Sequence, residues 1–128
     1  MSDQPPQSAT ILVVEDQDAV RQMIVRSLVE QEYRVVEAGD GVQALVLLAS
    51  DLRIDMVITD IGMPNMGGLQ LVERLTLTDR TPVFLFISGY DQNRSEIPGA
   101  LLEKPFDPDR LVAEVRRLLS KGTPPDQP

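Results

Sequence analysis

The chain contains neither cysteine nor histidine, and each absence removes a body of chemistry. Without cysteine there are no disulfides and no thiolate metal centres. Without histidine the usual general base and the commonest zinc ligand are gone. No apolar run approaches the roughly 20 residues that a membrane-spanning helix needs. Residues 1–10 are polar and proline-bearing and do not read as a signal peptide, so a cytoplasmic location is expected. Positive charge is scarce: 12 Lys and Arg stand against 20 Asp and Glu, and the net charge of −8 argues against nucleic acid as a direct partner. What remains is ordinary for one globular domain, with 42% hydrophobic and 25% charged residues in a chain of 128, enough for a single core. Its chemistry must run on carboxylates, hydroxyls and a lysine, with or without a hard cation.

The stretch around which the rest is organised is Met56-Val57-Ile58-Thr59-Asp60, followed by a loop from Ile61 to Gly68 with three glycines and a proline. A short apolar run bounded by turn residues reads as a central parallel strand buried on both faces. Asp60 then sits at the strand's carboxyl end, where open α/β sheets place their ligand crevice. Taken alone, Asp60 fits equally well as a turn residue.

The remaining segments repeat the pattern. Residues 1–9 read as a disordered lead-in. Ile11–Val14 is a second buried strand and ends on Glu15-Asp16. A helix over Asp18–Gln31 carries Val20, Met23, Ile24 and Leu28 on one stripe. Arg34–Ala38 is a strand, and Asp40 caps a helix with Ala44, Leu45 and Leu48 inward. After Met56–Asp60, a helix over Gly68–Leu77 turns Leu71, Val72 and Leu75 inward. Val83–Ile87 is a strand stopping at Ser88-Gly89, and Leu101–Glu103 a short one leading into Lys104-Pro105-Phe106. Asp107 as cap and Pro108 at the first position open a final helix with Leu111, Val115, Leu118 and Leu119 buried. The folded domain is expected to span 10–121, with a disordered proline-rich tail at 122–128.

Alternating strands and helices call for a parallel sheet with right-handed crossovers. The three most apolar strands belong in the middle, which favours a doubly wound α/β fold of five strands in the order 2-1-3-4-5. That order gathers Glu15-Asp16, Asp60, Ser88 and Lys104 at one edge. Three close carboxylates need a compensating charge, and oxygen-only ligands point to Mg²⁺. Asp60 can then act as a nucleophile toward phosphorus, giving an acyl phosphate. Ser88 can donate a hydrogen bond to one phosphoryl oxygen and Lys104 a charge to another. The lysine is conspicuous because the chain has ten arginines and only two lysines, Lys104 and Lys121. A compact ammonium suits a single oxygen better than a guanidinium fork does. Each feature has a plainer reading: a helix cap for Glu15-Asp16, a turn for Ser88-Gly89, a surface cation for Lys104. Only their joint placement is specific.

With these residues in order, the chain resembles the receiver domain of bacterial two-component response regulators. The resemblance rests on the acidic pair, the Asp-x-x-Met-Pro-x-x-x-Gly loop (Asp60, Met63, Pro64, Gly68), Ser88, and Lys104-Pro105-Phe106, and covers about residues 10–120. It implies a flavodoxin-like fold, with Asp60 accepting a phosphoryl group from a histidine kinase or histidine phosphotransfer protein. It implies Mg²⁺ held by Asp16 and Asp60, with Glu15 acting through water and the Gly62 carbonyl completing the protein ligands. It also implies a cis peptide at Lys104-Pro105. The chain is then a free-standing regulator or the receiver of a hybrid kinase.

Two departures stand out. Receivers usually carry Tyr or Phe three residues before the lysine, and this chain has Leu101. The crossover from Gly89 to Ala100 is interrupted by Pro98-Gly99, so the fourth helix of such a fold is expected to be shortened or missing. The polar segment Tyr90–Ile97 is expected to be poorly ordered before phosphorylation, with Tyr90 as a substitute moving ring. Two other function classes compete: a pseudo-receiver that binds without phosphorylation, and a haloacid dehalogenase-like hydrolase. The intact acid, hydroxyl and lysine set disfavours the first. Gly62, where a hydrolase expects a second acid, disfavours the second.

Overall fold

A computed structural model describes residues 9–62, 68–75, 82–89 and 99–122. Among them, five strands and four helices follow one another as β1 (Thr10–Val14), α1 (Asp18–Glu30), β2 (Arg34–Ala38), α2 (Gly41–Leu48), β3 (Met56–Asp60), α3 (Gly68–Leu75), β4 (Val83–Ser88), β5 (Ala100–Glu103) and α4 (Pro108–Gly122). All neighbouring strands are parallel, and their order is β2-β1-β3-β4-β5. The fold expected from the sequence is the fold found.

Side chains alternate across a strand, so each central strand feeds two cores. Ile11, Val13, Met56, Ile58, Leu85 and Ile87 pack on one face against Ile24 and Leu28 of α1 and Leu111 and Val115 of α4. Leu12, Val14 and Val57 pack on the other against Ala44 of α2 and Leu71 of α3. β1 and β3 are buried along their whole length, whereas β2 at the sheet edge has exposed residues. This is why β1 and β3 read as unbroken apolar runs and β2 does not. Phe84 and Phe86 stack at 5.6 Å on β4.

Local chemistry fixes the helix starts. Asp40 accepts the Gln43 N–H at 2.9 Å, and the Gln43 side chain accepts the Gly39 N–H at 3.1 Å, a reciprocal cap for α2. Asp107 accepts the Arg110 N–H at 2.8 Å with Pro108 as the first residue of α4.

Segment 90–98, where the shortened helix, the ordering of the crossover and the role of Tyr90 were expected, lies outside the described residues. So do Met63 to Gly67, residues 76–81, into which α3 was expected to run as far as Leu77, and all of the lead-in and tail except Ala9 and Gly122. The Lys104-Pro105 peptide is cis.

Candidate functional site

The sheet's carboxyl edge is assembled strand by strand. β1 runs one ladder bond past its end, with the Glu15 N–H on the Ala38 carbonyl at 3.1 Å. That bond draws the Glu15 side chain under the surface, fully buried. Its Oε2 accepts the Gln17 N–H at 3.0 Å. Its Oε1 makes no hydrogen bond and lies 3.4 Å from the Lys104 ammonium. Burial raises the Glu15 carboxyl to about 7; the Gln17 N–H and Lys104 favour ionisation, while the charge of Asp60 adds to the rise. Asp16 is exposed, and its carboxylate makes no hydrogen bond or ion pair among the described residues.

Asp60 closes β3 and is 9% exposed. Its Oδ1 accepts the Gly62 N–H at 2.9 Å, and its Oδ2 accepts from Lys104 Nζ at 2.7 Å. The ammonium reaches it because β5 ends beside β4, where the Lys104 N–H bonds the Ser88 carbonyl at 2.8 Å. Lys104 Nζ also donates to Gln17 Oε1 at 3.1 Å. Burial opposes the charge on Lys104, but its hydrogen bond to Asp60, the charge of Asp60 and that of Glu15 prevail and raise its pKa. Ser88 is buried at the end of β4, and its hydroxyl donates to the Gly89 carbonyl at 2.6 Å.

Gly68 opens α3 directly against this edge. A Cβ there would lie 3.0 Å from both the Asp60 carbonyl oxygen and Thr59 Cγ2. Close approach of backbone to backbone is what requires glycine at this point.

One carboxylate oxygen from each of Glu15, Asp16 and Asp60 lies within 4.8 Å of the others. The donors are all oxygen, and buried Glu15 Oε1 has no hydrogen-bond donor. A small hard cation fits such a set. The expected site residues are therefore brought together, with two qualifications. The Ser88 hydroxyl is turned to its own neighbour's carbonyl, and Gly62 meets Asp60 through its N–H. Two residues in the site's surroundings have no signature in the sequence. Gln17 holds Lys104 across 87 positions. Arg21 donates to the Glu15 carbonyl at 2.7 Å.

The sequence matches the family described as "Response regulator receiver domain" over residues 11–116. It is 39% identical over 121 residues to "Sensor kinase CckA" of Brucella abortus, covering 89% of this chain and 13% of that protein. It is 38% identical over 122 residues to "Response regulator MprA" of Mycolicibacterium vanbaalenii, covering 91% of this chain and 52% of that protein. Among solved structures, the receiver domain from the hybrid histidine kinase CckA superposes with a TM-score of 0.75 at 34% identity, covering 87% of this chain and 99% of that one. The chain thus spans a small part of one of these full-length relatives and about half of the other, but nearly all of the solved receiver.

Proposed function

The chain belongs to the response regulator receiver domain family, and on that premise we propose that Asp60 is its phosphoryl acceptor. The family is a signalling domain of two-component systems and not a conventional enzyme. The observation that carries the assignment is the position of Asp60: at the end of a fully buried strand, grouped with Glu15 and Asp16, and 2.7 Å from Lys104. A carboxylate there is shielded from bulk water yet open to a donor at the sheet edge. The donor is a phosphohistidine on a histidine kinase or phosphotransfer protein. An oxygen of Asp60 forms the new bond to phosphorus, the P–N bond breaks, and the imidazole leaves with its electron pair.

Glu15, Asp16, Asp60 and the Gly62 carbonyl are the residues that would hold Mg²⁺. The cation supplies neutralisation of the carboxylates and of the phosphoryl oxygens. The protein's own groups do the positioning. The Gly62 N–H holds Asp60 Oδ1 in place. Lys104 moves its bond from Asp60 Oδ2 to a phosphoryl oxygen. The Ser88 hydroxyl rotates from the Gly89 carbonyl toward another. Each exchange alters a strand end, and together they bias the conformation that a downstream protein recognises. Beside Lys104 lies an open groove of about 310 Å³ whose walls include Leu101, Phe106 and Arg110. Leu101, half-buried, stands where most receivers carry an aromatic ring.

The domain works in the cytoplasm, over residues 10–121, as a free-standing regulator or as the receiver of a hybrid kinase, and catalyses only its own phosphorylation and dephosphorylation. No helix among the described residues is long and apolar enough to cross a membrane. Gly62 offers a backbone N–H to Asp60 where an aspartate-nucleophile hydrolase needs an acid. Intact-mass spectrometry after incubation with phosphoramidate and Mg²⁺ tests the assignment. One added phosphoryl group on the wild type and none on Asp60→Asn is expected, and equal labelling of both refutes it.

A further inference from the structure

Asp16 is the one acid of the cluster whose side chain nothing among the described residues holds. Glu15 is buried and bonded to Gln17, and Asp60 is bonded to Gly62 and Lys104. The direction in which Asp16 projects therefore depends on its backbone, and first on the peptide that joins it to Glu15. That peptide is the one Arg21 grips. Nη1 donates to the Glu15 carbonyl oxygen at 2.7 Å, Nε to Glu37 Oε1 at 3.1 Å, and Nη2 to Asp18 Oδ1 at 2.6 Å. All three guanidinium nitrogens are engaged, each on a different element: the β1–α1 connection, β2 and the first turn of α1.

The ion pairs alone do not account for this arrangement. The Arg21 side chain is 18% exposed, but Asp18 is 78% and Glu37 49% exposed, and pairs with such solvated partners contribute little. What the two carboxylates do is fix the plane of the guanidinium, so that its remaining nitrogen points at one carbonyl. A rigid planar fork suits that task, and a lysine does not.

We propose that Arg21 is a positioning residue for the acid pair, orienting the Glu15–Asp16 peptide so that the Asp16 carboxylate faces those of Glu15 and Asp60, with Glu37 of β2 as its anchor. This rests on the reading of those three acids as the Mg²⁺ site. Removing a group that orients a metal ligand typically lowers metal affinity about tenfold or more.

Calorimetric titration with Mg²⁺, paired with denaturant unfolding of the same proteins, tests the role. Arg21→Met should bind Mg²⁺ about tenfold more weakly than wild type. Arg21→Lys, able to make only one of the three bonds in that geometry, should also be weakened, and it carries the test if Arg21→Met does not fold. Glu37→Gln, which loosens the anchor, should show a smaller drop in the same direction. Asp55→Ala serves as a control that destabilises the opposite edge of the sheet and should keep wild-type affinity. Wild-type affinity in both Arg21 variants overturns the proposal, as does an equal loss in Asp55→Ala, which would make the effect one of general stability. A wild type that binds no Mg²⁺, or an Asp16→Asn variant that binds like wild type, instead overturns the underlying site and the role of Arg21 with it.

Discussion

Strand β3 is bracketed by two aspartates, Asp55 just before it and Asp60 at its end, and the chain uses them in opposite ways. Asp55 is spent on structure. Its Oδ2 accepts the Thr10 N–H at 2.9 Å, its own N–H bonds the Thr10 carbonyl at 2.9 Å, and its carbonyl accepts the Val83 N–H at 3.1 Å. One residue thereby joins the starts of β1, β3 and β4. Asp60 is placed among charges instead, with Glu15 and Asp16 in the same cluster and an oxygen of Glu15 left without a hydrogen bond. The lesson is that the backbone around Asp55 is built to be satisfied and the acid cluster around Asp60 to be incomplete. At that cluster the rule that buried polar atoms find partners is broken where a ligand is to complete it.

The largest expected effect separates the two aspartates outright. Asp60→Asn should abolish phosphoryl incorporation while leaving a cooperatively unfolding protein, since it removes a charge from a repulsive cluster. Asp55→Ala should do the reverse. It leaves the Thr10 N–H, on a residue that is 8% exposed, without its acceptor, a loss of about 1–3 kcal/mol. Urea midpoints and intact masses measured on both variants check the pair. An Asp55 variant that folds at full stability, or one that cannot be phosphorylated, breaks the contrast.

Next in size is an effect of opposite sign at the carboxyl edge. In the metal-free protein the Glu15 carboxyl is raised to about 7 from its ordinary value of 4.5, chiefly by burial. A folded-state value above the unfolded one means that the folded protein holds the proton more tightly. The wild type therefore loses stability as pH rises from the ordinary carboxylate range through about 7. Glu15→Gln carries no ionisable group there and escapes the penalty. It should be more stable than wild type by about 1–2 kcal/mol above pH 7 in the presence of EDTA, and close to wild type near pH 4.5. Urea midpoints across that range test it. A variant less stable than wild type at high pH would mean that Glu15 is satisfied within the fold, and the two edges would not differ in kind.

The same contrast explains what the sequence revealed. β1 and β3 were legible because strands buried on both faces have no choice but to be apolar, and their ends were marked by the abrupt change to acid. Asp60 and Lys104 could be placed together because the apolar pattern puts β1, β3 and β4 in the middle of the sheet and the resemblance to receiver domains supplies the rest of the order. Arg21 could not be singled out: it is one of ten arginines. Of its partners only Asp18, three positions away, stands at a helical spacing. The Glu15 carbonyl and Glu37 lie 6 and 16 positions away, where no periodicity marks them. Gln17 stands at the cap position of α1 but makes no side-chain cap, and its amide faces a residue 87 positions on. Asp55 carried no mark of its role, because a carboxylate that bonds a distant backbone N–H leaves no trace in its own neighbourhood.

The smallest effect tests whether the amino-terminal edge is as fully optimised as Asp55 suggests. α1 runs back from the acidic site and ends there, in a turn where Glu32 has φ 71°, the left-handed region. The Glu32 N–H bonds the Val29 carbonyl at 2.8 Å and the Tyr33 N–H the Leu28 carbonyl at 3.2 Å. This is the paired C-terminal closure that glycine usually completes. Tyr33 and Leu28 belong to the same buried cluster, so the surrounding packing holds the strained residue in place. Nothing at the acidic site depends on it. Glu32→Gly relieves the strain of a side chain at positive φ but frees the unfolded chain, and the two partly cancel. The net gain should be about 0.5–1 kcal/mol, read as a small rise in the urea midpoint with unchanged Mg²⁺ affinity. A loss of stability would show that the glutamate side chain contributes more here than its backbone costs.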